Sequence, residues 1–346
     1  TYDRRGNKES ECYYDEKGYP ISVSDGQYGT LYGYNMLNKI NKLTYLNQYG
    51  KPMLADKGYA TVEYEYDIYG NIKCEHYYGI DNKPINNNTG VSGIYYEYDK
   101  DNRVFKVSYV DQNDSSIESL DGYAIAMYLY DSDGNKTSEQ FFGKNGKPKA
   151  LCTGECKIEY YYNDNGKCIK IVYSGENGEL VEQSSVGYAM VTYTYDENGN
   201  PISEKYYGKD EKLVQISLGY AGIYRKYDDS NNVIEIMYVG TDEKPIEIKE
   251  GYSIKKVEYD IKGNEKGEYY YDKDGNRTAI KMGQYGTCYE YNEDGQICKV
   301  YYVDQNNNLM QVQDGYAYVV YDYDGDGKIA NETYYDENNQ KVNLSK

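Results

Sequence analysis

A tyrosine followed by aspartate or asparagine recurs along the entire chain, at Tyr2, Tyr34, Tyr66, Tyr98, Tyr130, Tyr162, Tyr195, Tyr227, Tyr259, Tyr291 and Tyr323. Every step is 32 residues except one of 33, between Tyr162 and Tyr195. The pattern gives ten full repeats and an eleventh cut short at Lys346. A period of this length belongs to quasi-one-dimensional arrays, in which each unit rests mainly on its neighbours, and not to one closed core. By length alone, 346 residues suffice for two globular domains, but the repeat favours a single repeat domain over residues 1–346.

Counted from the key tyrosine as position 0, position +4 is Gly in eight copies and Asn in three, at Asn38, Asn102 and Asn231. Gly and Asn tolerate a positive φ most readily. Tyr-Asp-x-x-Gly between alternating segments therefore reads as a type I turn closed by a G1 bulge, with the Asp side chain accepting a backbone N–H. Thr61-Val62-Glu63-Tyr64-Glu65-Tyr66 alternates before the turn, and Ile234-Glu235-Ile236-Met237-Tyr238 alternates after it. Period-two alternation indicates strands with one buried face. Position +11 is aromatic in every copy, which predicts a stacked ladder. A second turn falls near +13 to +18, and a glycine corner follows at +24, often opening Gly-Tyr-Ala as at Gly58, Gly122, Gly219 and Gly315. The fold class expected is all-β: an elongated β-hairpin repeat solenoid without helices.

Odd and even copies differ. Position +9 is Glu in each odd copy and Leu43, Val107, Ile171, Ile236 or Val300 in the even ones. Position +12 is aromatic in each odd copy and not in the even ones. The 32-residue repeats are thus expected to pair into units of about 64 residues, with even hairpins burying +9 and odd hairpins exposing a Glu.

Composition limits what fills the interior. There are 51 Tyr, 3 Phe and no Trp, and the mean hydropathy is −0.92. Aliphatic residues are too scarce for an ordinary core, so the buried layer must be largely tyrosine, which buries its ring and keeps its hydroxyl at a polar edge. The formal charge of −19 argues against nucleic acid and anionic membrane surfaces, which call for clustered Lys or Arg. No apolar run approaches 18 residues, so no membrane insertion by a helix is expected. The chain opens inside a repeat without Met, as a fragment of a longer protein does. Seven cysteines are too irregular for a disulfide scaffold. Cys152 with Cys156, and Cys288 with Cys298, are the two pairs placed for bridging.

The Tyr-Tyr-Asp/Gly-x-x-Gly turns, exemplified by Tyr269-Tyr270-Tyr271-Asp272-Lys273-Asp274-Gly275, resemble the aromatic-rich repeats of Gram-positive surface proteins. These are the choline-binding and glucan-binding cell-wall repeats and the repetitive oligopeptides of large clostridial toxins. That resemblance implies a hairpin solenoid binding carbohydrate or choline between adjacent hairpins. Tyr193-Thr194-Tyr195-Asp196-Glu197-Asn198-Gly199-Asn200 also resembles the tyrosine–aspartate repeats of polymorphic-toxin shells. Both resemblances imply a bacterial protein that is extracellular or on the cell surface.

Candidate sites follow from the odd copies. Tyr78, Phe142, Tyr207 and Tyr271, with Glu75, Glu139, Glu204 and Glu268, would line grooves between hairpins. Sugar rings offer apolar faces to aromatic rings and hydroxyls to carboxylates, and many shallow equivalent sites gain by avidity. The competing reading makes each Glu a surface partner of Lys42, Lys106, Lys170 or Lys299. Asp322, Asp324 and Asp326 resemble the start of an EF-hand loop, but Thr333 stands where the bidentate Glu belongs. The only histidine, His76, has no catalytic partners at fixed spacing, and near-equivalent copies argue against one active site. The expectation is a non-enzymatic, cofactor-free module that binds polysaccharide or cell-wall polymer. The alternative is a structural stalk, fibre or protein-binding adhesin segment, with end-to-end self-association. A toxin-associated shell is a third reading.

Overall fold

A computed structural model describes residues Thr1–Asn343. It holds 22 β-strands and, among the described residues, no helix. Two compact units emerge: residues 1–160 with 173–179, and residues 161–172 with 180 onward. Within each unit, consecutive strands pair antiparallel, so the repeating element is the hairpin.

Repeat 3 shows how the sequence forms it. Thr61–Tyr66 pairs with Ile72–Tyr78, from Thr61 opposite Tyr78 to Tyr66 opposite Ile72, with the register shifting after Glu65. This is the expected bulge. Gly70 has φ +87°, and Asn102 takes the equivalent place at φ +60°. The Asp67 carboxylate accepts the N–H groups of Tyr69 and Asn71, both at 2.9 Å. Asp or Asn follows the key tyrosine because its short side chain completes the turn.

The same device recurs at other turns. After the second strand, Asp111 accepts from the N–H groups of Asn113 at 2.8 Å and Ser115 at 3.0 Å. At the corner, Asn87 accepts from Thr89 at 2.9 Å and Val91 at 3.3 Å.

Tyrosines fill one face of the hairpins, as composition predicts, but the ladder is built differently from the expected stack of +11 rings. A ring from each Gly-Tyr corner stands between successive +11 rings. In the second unit Tyr188, Tyr206, Tyr220, Tyr238, Tyr252 and Tyr270 follow one another at centroid distances of 4.9, 6.0, 4.9, 5.9 and 5.1 Å. Aliphatic residues such as Val191, Ile223 and Ile248 close the cluster. Gln27 and Gln284 occupy the corner-ring position in their repeats, each buried with its side-chain oxygen unpaired.

In repeats 3 and 9 the bulky +10 side chain lies over a glycine of the next strand. A Cβ on Gly286 would meet Tyr269 Cδ1 at 2.6 Å, and one on Gly93 would meet His76 Cδ2 at 2.8 Å.

All seven cysteines are free, so neither candidate pair is bridged. Cys288 stands opposite Tyr301 rather than Cys298, so the two thiols are not cross-strand neighbours. Cys156 is buried with its thiol donating to the Gly175 carbonyl at 3.1 Å, while Cys152 is exposed.

Candidate functional site

The key tyrosine does more than precede the turn. The Tyr98 hydroxyl donates to the Ile72 carbonyl of the preceding hairpin at 2.8 Å. Tyr34, Tyr130, Tyr195, Tyr227, Tyr259, Tyr291 and Tyr323 make the same bond at 2.7–3.1 Å. Phe would fill the same space without closing this link.

A second link runs between turn tips. Asn200 Nδ2 donates to Asn231 Oδ1 at 2.7 Å, and Asn71 Nδ2 to Asn102 Oδ1 at 3.0 Å. Asn7 and Asn38 exchange a side-chain bond in each direction. In all three copies with Asn in place of Gly at +4, that Asn accepts an amide bond from the preceding repeat. Before some of the Gly copies a longer chain reaches the next turn's backbone, as Gln296 does to Gly327 at 3.1 Å and Arg103 to Asp131 at 3.2 Å.

The predicted odd-copy residues separate into two sets. Glu75 and Tyr77 share the tyrosine face, because they are two apart on one strand; Tyr78 points to the other face. The same holds for Glu139 and Phe142, Glu204 and Tyr207, and Glu268 and Tyr271. No single groove therefore combines each Glu with its +12 ring. The glutamates are half-buried, not exposed as expected, and accept hydroxyl protons: Glu75 from Tyr96 at 2.5 Å, Glu204 from Tyr206 at 2.6 Å, and Glu268 from Tyr270 at 2.5 Å. Glu139 accepts from Tyr160. Burial, reinforced by the carboxylate, pushes the hydroxyls of Tyr96 and Tyr206 far above the ordinary tyrosine range. Charged partners reinforce three of them, Lys255 on Glu268 at 2.8 Å, Lys136 on Glu139 at 3.2 Å and Arg225 on Glu204 at 3.4 Å.

The lysines expected beside these glutamates pair elsewhere: Lys42 with Glu63 and Lys106 with Glu97, both at 2.7 Å, and Lys299 with Glu290 at 3.1 Å. Lys170 lies over the Tyr161 ring at 5.2 Å. The +12 rings are half-buried, and Tyr271 carries Lys256 over its face at 4.7 Å.

His76 lies on that other face, with Nε2 2.9 Å from Asp114 Oδ1 and Nδ1 3.9 Å from Cys74 Sγ. Cys74 is 1% exposed. Burial raises its thiol to about 11, so it is held protonated and out of reach of a substrate. Asp114 comes from the following repeat, at the position that Glu243 fills opposite Lys205, 2.5 Å away. The cluster is an inter-hairpin clasp.

Asp324 accepts from the N–H groups of Asp326 at 3.0 Å and Lys328 at 2.9 Å, the ordinary geometry of this turn. Asp322 accepts from Asn331 at 3.3 Å. Among the described residues no three His, Cys, Asp or Glu side chains are set to hold a metal.

Open hollows lie at the seams between hairpins. Five successive seams of the second unit each carry one beside the Tyr-Asp turns, with volumes of 770, 630, 720, 570 and 550 Å³ from repeats 6–7 to repeats 10–11. Their walls come from the key tyrosines and turn residues, which the sequence reading did not assign to a site.

These features define a tyrosine-rich β-hairpin repeat protein. Of the two resemblances, the tyrosine–aspartate repeat fits this unit, since each Tyr-Asp or Tyr-Asn pair closes a hairpin. Among solved structures, the chain is similar to TcdB2-TccC3-TEV, with a TM-score of 0.47 and 14% identity over 96% of this chain and 15% of that one. It is also similar to TcdB2-TccC3 without its hypervariable C-terminal region, with a TM-score of 0.40 and 11% identity over 95% of this chain and 20% of that one. For the Photorhabdus luminescens Tc holotoxin pore the TM-score is 0.30, with 14% identity over 88% of this chain and 14% of that one. The chain spans no more than a fifth of these chains. No protein-family model and no curated protein sequence matches it.

Proposed function

We propose that the chain is a non-enzymatic structural repeat module of a bacterial protein that is extracellular or on the cell surface. The observation that carries this reading is the tyrosine staple. The hydroxyls of Tyr34, Tyr66, Tyr98, Tyr130, Tyr195, Tyr227, Tyr259, Tyr291 and Tyr323 are committed to the neighbouring hairpin, and each signature Asp or Asn to its own turn. The residues that define the repeat are thereby consumed in holding hairpins together. A net charge of −19 suits a wall that faces water and stays dispersed.

The direct test removes two whole repeats, residues 195–258, which rejoins Thr194 to Tyr259 in register. A structural array shortens and still melts cooperatively. Collapse of the shortened chain would show a closed core and overturn the reading.

Multivalent binding of polysaccharide or cell-wall polymer is the second reading, favoured by the row of hollows. It involves neither nucleic acid nor membrane insertion. Small-angle scattering against concentration tests the accompanying expectation of end-to-end self-association, which predicts a mass that rises with concentration.

A further inference from the structure

Each hairpin is bonded to the next over a short ladder. Ser203–Lys205 pairs with Gly222–Tyr224, Glu235–Met237 with Ile254–Lys256, and Gly267–Tyr269 with Gly286–Cys288. On the turn side of these ladders the hairpins splay, and the tyrosine staple is the bond that spans the gap. A wedge therefore opens at each seam, with Tyr195, Tyr227, Tyr259, Tyr291 or Tyr323 in its wall.

Resting on the second reading, we propose that this row of wedges binds an extended, uncharged β-1,4-linked polysaccharide, one disaccharide to a seam. Spacing is the first argument. Two strands per repeat, about 4.8 Å apart where they pair, set successive hairpins about 10 Å apart along their ladders, close to the advance of one disaccharide in an extended β-1,4-linked chain. The lining is the second. Each wedge combines a tyrosine ring with turn carboxylates or amides, the pairing that takes a sugar's apolar face and its hydroxyls.

Direction and charge exclude the competitors. The row runs across the strands, so a bound peptide could not extend the sheet by strand addition. Carboxylates outnumber lysine and arginine along the walls, which disfavours a polyanion.

Thr194 and Lys266 are exposed, and between them they line four of the five wedges. The experiment measures binding of cello- and chito-oligosaccharides of two to ten sugars to the full chain and to a Thr194→Arg/Lys266→Glu variant. Melting temperatures verify that both are folded. Affinity is expected to rise with every second sugar added, and the variant to lose about tenfold or more for the ten-sugar chains. Binding without two-sugar steps, or undiminished in the variant, overturns the row and leaves the polysaccharide reading on another surface. Absence of binding to these oligosaccharides and to a glycan array, with the chain folded, overturns both. Preferential binding of a polyanion or an extended peptide also overturns the row.

Discussion

The hydroxyl of Tyr98 and the carbonyl oxygen of Ile72 lie 2.8 Å apart, joining residues 26 positions apart in neighbouring hairpins. The repeat's most frequent residue is thus its fastener. A carbonyl left without a donor costs free energy, and in this seam the tyrosine from the next repeat supplies that donor.

The Asn71 to Asn102 bond makes a graded prediction. Asn102→Gly keeps the left-handed backbone and loses the amide link, so the cost is about 0.5–1.5 kcal/mol. Asn102→Ala also forces a Cβ into that backbone, adding about 1–2 kcal/mol. Urea unfolding of the two variants should rank Ala below Gly. An equal ranking would place the value of Asn102 in its turn-tip contact alone.

The ring ladder predicts opposite effects at two corners. Tyr252 stands between Tyr238 and Tyr270, and Tyr252→Ala is expected to cost about 3–5 kcal/mol through lost burial and the cavity left behind. Gln284 occupies the same position one repeat later, with a buried unpaired oxygen. Gln284→Tyr removes that unpaired group and extends the ladder, so stability should rise by about 1–3 kcal/mol. A lower melting temperature for Gln284→Tyr would show that the site is shaped for the amide.

Acid sensitivity follows from the turns. The side chain of the Asn four residues later, together with backbone N–H groups, lowers the carboxyl pKa of Asp131, Asp196, Asp228 and Asp260. A lowered folded-state value gives stability that is present above the unfolded carboxyl value, about 3.9, and is lost as pH falls through the folded value. Melting temperatures should therefore drop below about pH 4. Replacing these four with Asn, the residue already present at Asn163 and Asn292, should flatten the drop. An unchanged acid profile would mean that other carboxylates control it.

Alkali acts through the interior hydroxyls. Burial raises Tyr77, Tyr206 and Tyr270 well above the unfolded tyrosine value of about 10. Stability from these groups is complete below about pH 10 and declines as pH rises further, because the unfolded chain ionises first. A spectrophotometric titration should end in a cooperative step that coincides with loss of β-structure. A smooth titration with the fold intact would contradict the buried ladder.

Much of this fold was legible in the sequence, because turn chemistry is local. Asp67 and Gly70 lie within one turn, and their spacing alone announces it. The alternation in Thr61–Tyr66 likewise gives the strand. What stayed hidden depends on which residues meet across a seam. Nothing in the residues around Tyr98 names Ile72 as its partner. The hydrogen-bonded role of Glu75 needs Tyr96, brought beside it from the next hairpin. The corner rings were visible as Gly-Tyr-Ala, yet their place between the +11 rings depends on how the chain folds back. Grooves between hairpins were foreseen, but not walls made of the key tyrosines and their turns.

The most direct measurement replaces Tyr227, Tyr259, Tyr291 and Tyr323 together with Phe and follows urea unfolding beside the parent chain. Four lost staples at about 0.5–1.5 kcal/mol each predict a destabilisation of about 2–6 kcal/mol, with the β-sheet spectrum retained before the transition. An unchanged midpoint and slope would contradict the account, because the hydroxyls would then contribute nothing to holding one hairpin to the next.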